Sequence, residues 1–252
     1  MNSIKKALEI LNYISSVKRS VGVPELSKNL HLPKSTVYRI LDSLLDYSLV
    51  DKVENTSKYR LGLQVLKYSN SFCNSFNLNQ IAKPILKKVC TETKLNTYLS
   101  IWNNNRNICI DSIRPSLEFT DIQLFVEIGN EIPLHCAASS KVILASQLLE
   151  DIKKIIYREP FLRYTRNTIV EPKKLIEHLM EIKKKGFSIC DEEHHEGIKA
   201  IAAPIKNIEG KTIGSIAIVG FAQSMLSNNL RKLGNLVMNS AKEISKELGY
   251  DE

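Results

Sequence analysis

The chain has 252 residues, of which 43% are hydrophobic and 25% charged, and its formal net charge at pH 7 is +8. This is the composition of an ordinary soluble protein, and no apolar run approaches the roughly 18 residues that a membrane span needs. Polar residues interrupt the apolar ones in the N-terminal stretch MNSIKKALEILNYISS, which excludes a signal peptide. We therefore expect a cytoplasmic protein.

Basic charge is concentrated near the N-terminus. Residues 1–62 contain ten Lys and Arg against six Asp and Glu, whereas the other 190 residues contain 25 against 21. A local basic surplus favours polyanionic partners, although a surplus this small is also consistent with a solvated basic face.

The first 62 residues predict three helices followed by a β-hairpin. Apolar residues recur every three to four positions over Ser3–Ser16, which predicts a helix with Ser3 as its N-cap. A short second helix covers PELSKNL at 24–30, and a third runs from Lys34 to Asp46. LVDKV at 49–53 and KYRLG at 58–62, separated by ENTS, indicate a hairpin with a polar tip. This order is that of a winged helix-turn-helix.

The third helix has one apolar face and one polar face. The apolar stripe consists of Val37, Ile40, Leu41, Leu44 and Leu45. In a helix-turn-helix the second helix offers its N-terminal residues to base edges, while flanking cations neutralise phosphates. The predicted DNA contacts are therefore Lys34, Ser35, Thr36, Tyr38 and Arg39 on the helix, and Lys58 and Arg60 on the wing. A half-buried helix with a merely solvated polar side is the alternative; the basic charge, the wing and the leading position favour DNA.

The remaining residues predict a linker helix and a second domain. We expect residues 1–62 to form the DNA-binding domain, 63–76 the linker helix and 77–252 the second domain. Strands are expected in NTYLSIW, NICIDSI, DIQLFVEIG, GFSIC, IKAIAAPI and TIGSIAIVG, and helices at 139–147, 149–157, 172–185 and 227–248. Hairpins near the start with helices at both ends favour an α+β domain around an antiparallel sheet.

The segment CDEEHHEG at 190–197 is the most enzyme-like stretch. Its adjacent histidines, His194 and His195, cannot both lie on one face of a strand, and no H-E-x-x-H spacing places two metal ligands together. A polar loop is therefore the better interpretation than a metal site, and no cofactor is expected. The five cysteines are scattered without a C-x-x-C pair, which indicates reduced, mostly buried thiols.

Over nearly its whole length the chain resembles the IclR family of bacterial transcription regulators. The matching segments are ALEILNYI, LPKSTVYRILDSL, KYRLG, IPLHCAASSKVILA, TIVEPKKLIEHLMEIKKKGFSICDEEHHEGIKAIAAPI and ISKELGY. The resemblance implies a winged helix-turn-helix joined by a linker helix to a GAF-like effector domain with a curved antiparallel sheet. It also implies homodimers or homotetramers that bind double-stranded operator DNA, with DNA binding modulated by a small molecule.

Several positions depart from the family pattern. Family members that bind small carboxylates carry polar residues where this chain has Cys190, Ala200, Ala217 and Val219, and a Gly where it has Ser140. The expected effector-binding residues are Ser139, Ser140, Cys190, Ala200, Ser215, Ala217 and Val219. Burying a carboxylate without hydrogen-bond donors costs about 1–3 kcal/mol of binding free energy. We therefore expect either an effector more apolar than a small carboxylate or a domain that no longer senses a ligand.

Two other functions compete with this hypothesis. The first is an enzyme that uses Cys190, His194 or His195, whose polar groups would have to converge in a cavity. The second is an architectural DNA-binding protein, whose stability and DNA affinity would ignore all metabolites.

Overall fold

A computed structural model describes residues 2–75, 77–115, 126–158 and 161–251. The chain divides into two compact units, residues 1–75 and residues 76–252. Within the described ranges, no helix is both long enough and apolar enough to cross a membrane.

The N-terminal unit is a winged helix-turn-helix. Its elements are α1 (Ser3–Val17), β1 (Val21–Gly22), α2 (Val23–Asn29), α3 (Lys34–Asp46), β2 (Val50–Lys52), β3 (Lys58–Leu61) and α4 (Gln64–Ser75). The three short strands pair antiparallel in the order β1-β3-β2. The three predicted helices and the hairpin are thus confirmed. Strand β1 was not predicted, because two residues carry no periodicity.

The start of α1 corrects one detail. Ser3 is the first helical residue, and the N-cap is Asn2, whose Oδ1 accepts a hydrogen bond from the Ile4 N–H at 3.1 Å. The prediction of Ser3 as N-cap was wrong by one position, since Asn and Ser are comparably good caps and both occur here.

The apolar stripe of α3 is the centre of this unit's core. Val37, Ile40, Leu41 and Leu44 are buried, and Leu45 packs against the same cluster from a partly buried position. They contact α1, α2 and the small sheet through residues such as Ile10, Ile14, Leu26, Val50 and Tyr59. Burial of this stripe fixes the rotation of α3 about its axis, so the opposite face points outward.

The second unit is built on a six-stranded antiparallel sheet with the order β6-β5-β4-β9-β8-β7. Its strands are β4 (Asn96–Asn103), β5 (Arg106–Ile113), β6 (Glu131–Ile132), β7 (Ser188–Asp191), β8 (Ile198–Lys206) and β9 (Thr212–Phe221). Its helices are α5 (Asn77–Thr93), α6 (Ala138–Ala145), α7 (Leu149–Ile156), α8 (Pro172–Lys185) and α9 (Leu230–Glu247), with a 3-10 turn at Ala222–Ser224.

The α+β prediction is confirmed, and one predicted strand is wrong over the part that the structure describes. Of the strand predicted at 121–129, residues 121–125 lie outside the described residues, and residues 126–129 form no strand but lead into a turn closed by the Asn130 N–H on the Glu127 carbonyl. The predicted stop of α8 is confirmed, because Gly186 follows the helix with φ of +80°.

The two faces of the sheet bury two separate cores. On β8, Ile201, Ala203 and Ile205 face a cluster formed with α5 and α9, whereas Ala200 and Ala202 face a cluster formed with α6 and α8. This split follows from the strand's period of two. Cys90, Cys109, Cys136 and Cys190 are buried free thiols, as expected.

Candidate functional site

The exposed face of α3 carries the predicted DNA contacts of the recognition helix. Lys34, Ser35, Tyr38 and Arg39 are exposed and Thr36 is half-buried. The helix follows Pro33, which supplies no side-chain cap. First-turn N–H groups lack carbonyl partners within the helix, and together with the helix dipole they favour a phosphate oxygen at this end.

Strand β3 presents the two predicted wing cations on one side. Lys58 and Arg60 are exposed, and Tyr59 between them is buried in the core. This alternation is the period-two pattern of a strand with one buried face. Both cations therefore project from the same surface of the wing.

A polar cluster that the sequence did not predict joins α1 to α2. Glu25 accepts hydrogen bonds from both terminal nitrogens of Arg19, at 2.7 and 3.0 Å, and from the Tyr13 hydroxyl at 3.0 Å. The Arg19 guanidinium holds the pKa of Glu25 below its usual value. Arg19 therefore holds α2 through Glu25, and this carboxylate partly neutralises its charge.

A cavity of about 610 Å³ opens on the α6 face of the large sheet. Cys190, Ala200 and Val219 form a straight row on its floor, because Cys190 pairs with Ala200 and Ala200 with Val219 across β7, β8 and β9. Tyr98, Ile198 and Phe221 widen this apolar surface. The structure therefore brings three of the seven predicted effector residues together.

The rim of the cavity is polar. It is lined by Glu127, Asn130, Glu131, His194, His195 and Glu196. Burial lowers the pKa of His194 to about 4, with a further contribution from His195, so its imidazole is neutral near pH 7. Ala137 and Ala138 at the start of α6 also line the cavity, and the first-turn N–H groups there have no carbonyl acceptors within the helix. A ligand with an apolar body and one polar end matches this arrangement.

The other four predicted effector residues do not line the cavity wall as far as the structure describes it. Ser139 and Ser140 lie behind it, where the Asn107 side-chain amide donates to both hydroxyls at 3.1 and 2.9 Å. Ala217 is fully buried on the same face of the sheet as Val219, in the core with α6 and α8, and the Ser215 hydroxyl is within 2.9 Å of that of Ser100.

A buried ion pair that the sequence did not predict lies beside the cavity. The ammonium of Lys141, on α6, donates to Oε1 of Glu193, to the Ile189 carbonyl at 2.9 Å and to Nε2 of His178 at 3.3 Å. Burial raises the pKa of Glu193 and lowers that of His178 to about 4. No sequence signal could have indicated this pair, since its members are 52 positions apart.

The segment CDEEHHEG does bring Cys190, His194 and His195 to one cavity, as the enzyme hypothesis required. Burial raises the pKa of the Cys190 thiol, however, which keeps it protonated and weakly nucleophilic. Among the described residues, no three His, Cys, Asp and Glu side chains are grouped so as to hold a metal ion.

Two family models match the chain. Residues 3–54 match the IclR helix-turn-helix domain, and residues 70–246 match the bacterial transcriptional regulator IclR C-terminal domain. The second match alone covers well over half of the chain.

Individual relatives match at full length. The transcriptional repressor IclR of Escherichia coli is 27% identical over 99% of this chain and 90% of its own. The crystal structure of Thermotoga maritima IclR superposes with a TM-score of 0.82, at 26% identity, over 99% of this chain and 100% of the other. An IclR homolog from Microbacterium hydrocarbonoxydans, complexed with 4-hydroxybenzoate, shares the fold with a TM-score of 0.84 at 18% identity, over 98% of this chain and 99% of its own.

Proposed function

Since the chain belongs to the IclR family of bacterial transcription regulators, we propose that a largely apolar effector in the cavity over Cys190, Ala200 and Val219 controls how the winged helix-turn-helix binds its operator. The protein is an effector-modulated, DNA-binding regulator and not an enzyme. Operator DNA lies in the cytoplasm of bacteria, and we propose that location for this chain.

The DNA-reading surface divides into two kinds of contact. Lys34, Lys58 and Arg60 neutralise phosphates and supply affinity that falls with salt. Ser35, Thr36, Tyr38 and Arg39 supply base and positional contacts, with Arg39 suited to a bidentate hydrogen bond to guanine. In support, the exposed faces of α3 and β3 carry all seven residues, with only Thr36 half-buried. The proposed DNA-binding domain is 1–62, followed by the linker 63–76 and the effector domain 77–252.

The cavity supports an effector more apolar than a small carboxylate. One observation carries the proposal: the floor of the cavity is the row Cys190, Ala200 and Val219, and none of these three side chains is charged. Binding energy would come from buried apolar area, at about 25 cal/mol per Å². The α6 N-terminus and the neutral His194 then offer anchors for one polar end. The effector shifts the population between DNA-binding arrangements to the extent that it prefers one of them.

Exposed apolar side chains in the N-terminal unit support a homodimer. Ile4 and Leu8 on α1 are 67% and 55% exposed; Leu63, just before α4, and Leu66, in its first turn, are 76% and 68% exposed. Exposed large apolar side chains favour an interface, and a second copy is the partner that operators with two-fold symmetry require. A homotetramer would need a further interface on the effector domain.

The test compares matched ligands on a matched pair of proteins. Thermal midpoint and DNA affinity are measured with 4-hydroxybenzoate and with its methyl ester, which removes the charge and keeps the ring, using a duplex selected from a random pool. We expect the ester to stabilise the wild type more than the acid does, and to stop doing so in Val219→Trp, which fills the floor.

Three results would change the conclusion. Stabilisation by acids alone would refute the apolar effector and leave the regulator intact. Equal stabilisation of Val219→Trp would move the site elsewhere. Indifference of both stability and DNA affinity to these probes and to a broad metabolite library would favour the architectural DNA-binding protein.

A further inference from the structure

We propose that Lys141 is a positioning residue of the effector cavity: its buried ammonium holds Glu193 in place, and Glu193 fixes the wall formed by residues 194–196. The proposal rests on the function of the cavity given above and adds the group that shapes it. Lys141 itself is fully buried and does not line the cavity, so it acts through Glu193.

The three donors of the Lys141 ammonium are all used. They reach a carboxylate on the 192–197 loop, a carbonyl on β7 and an imidazole on α8, so one charge ties three elements to α6. The imidazole of His178 can accept only in its neutral form, and burial beside Lys141 keeps it neutral. A buried ammonium is tolerated only when it is paired in this way.

The loop is attached both through its backbone and through a buried side chain. Its backbone is held by Thr165, whose hydroxyl donates to the Glu192 carbonyl at 2.7 Å, and by Thr168, whose hydroxyl donates to the Glu193 carbonyl at 2.7 Å. Its side-chain attachment in the interior is the Glu193 carboxylate on Lys141. The next three residues, His194, His195 and Glu196, then line the cavity.

Removing the ammonium leaves an unpaired carboxylate in the interior. Oε2 of Glu193 is already buried without a hydrogen-bond partner, so loss of Lys141 leaves both carboxylate oxygens unpaired. A buried carboxylate without a partner either takes up a proton or moves toward water, and the second route displaces the loop. Residues 194–196 follow Glu193 directly, so a displacement of Glu193 that also breaks its Thr168 hydrogen bond opens the cavity wall next to Cys190.

The test uses Cys190 as a reporter, because its thiol lies on the cavity floor and is 4% exposed. The full-length chain is labelled with N-ethylmaleimide, and the modified fraction of each cysteine is followed by peptide mass spectrometry. In Lys141→Met we expect Cys190 to label faster by about tenfold or more, since local opening sets the rate. Cys90 is 3% exposed on α5, the helix that packs on the other face of the sheet, so it reports global unfolding and should not change.

Two further variants separate charge from packing. Lys141→Met with Glu193→Leu removes both charges and should restore slow labelling of Cys190, because nothing then drives the segment outward. Lys199→Met is the matched control: this buried lysine pairs with Asp191 on the opposite face of the same strands, and its loss should leave Cys190 protected.

The outcomes distinguish a local positioning role of Lys141 from a general contribution to the stability of the fold. Equal acceleration at Cys190 and Cys90, no acceleration in Lys141→Met, or a double variant as reactive as the single one would each overturn the proposal. If Lys141→Met does not accumulate as folded protein, Glu193→Asp withdraws the carboxylate by one methylene and should raise labelling of Cys190 alone. Labelling needs no effector, so a failed ligand screen leaves this test standing.

Discussion

The wing offers the sharpest test of how this chain holds DNA. Arg60 is exposed on β3, beside Lys58 and opposite the buried Tyr59, so Arg60→Gln removes one positive charge and leaves the core untouched. The substitution should therefore leave the midpoint of urea unfolding unchanged. Its effect should be confined to the electrostatic part of DNA binding.

The magnitude follows from counterion release. Each phosphate contact contributes about 0.9 to the slope of log affinity against log salt, so the three proposed contacts of Lys34, Lys58 and Arg60 give about 2.7 for each bound domain. Arg60→Gln should lower that slope by about 0.9. The affinity ratio of wild type to variant should then shrink by about eightfold over a tenfold rise in salt.

Fluorescence anisotropy on a mixed-sequence duplex is a sufficient assay, because the phosphate contribution does not depend on sequence. Arg231→Gln is the control, since Arg231 is an exposed arginine at the start of α9 in the effector unit. An unchanged slope in Arg60→Gln, or an equal change in Arg231→Gln, would refute the assignment of Arg60 to a phosphate.

Three further expectations concern specificity, acidity and assembly. Arg39→Ala should relax preference at one base position by about 1–3 kcal/mol, measured on a panel of duplex variants; unchanged discrimination would remove Arg39 from the base-reading set. His178 has a folded pKa of about 4, below its ordinary value of 6.5, so the stability it contributes is complete above pH 6.5 and is lost as the pH falls toward 4. His178→Gln should therefore flatten the acid-side loss of unfolding free energy by up to about 1.4 kcal/mol per pH unit, and parallel curves for the two proteins would contradict this. Leu63→Lys with Leu66→Lys places charges at two exposed apolar positions of the proposed dimer interface and should shift sedimentation toward the monomer. Ile208→Lys, similarly exposed in the effector unit, is the control that should not.

Elements with strong local signals were predictable from the sequence. Helix α3 runs over the predicted residues because Pro33 precedes it and its apolar stripe is unbroken. Strand β1 was missed because its two residues are defined only by pairing with β3. The predicted strand fails at 126–129, where an apolar stretch alone could not reveal the turn at Gly129.

The cavity was predictable only in part. Cys190, Ala200 and Val219 were expected in the effector site because they fall on the family's effector positions; strand parity alone cannot relate residues on three different strands. Ser139 and Ser140 could not be oriented in the same way, because all eight residues of α6 are buried and the helix has no exposed face to set its rotation. The buried position of Lys141 could not be predicted for the same reason, and its partner Glu193 is 52 positions away in the sequence.

The row Cys190, Ala200 and Val219 has a consequence for how this protein diversifies. Successive residues of a strand point to opposite faces of the sheet. Ala200 and Val219 face the cavity, whereas their neighbours Ile201 and Ile218 belong to the core on the other face. In the proposed effector site, substitutions along the row would therefore change what is bound while the core that keeps α5 and α9 in place lies on the other face of the sheet. A new specificity can then arise by single substitutions whose packing cost falls on the α6 side alone, in the core to which the row belongs.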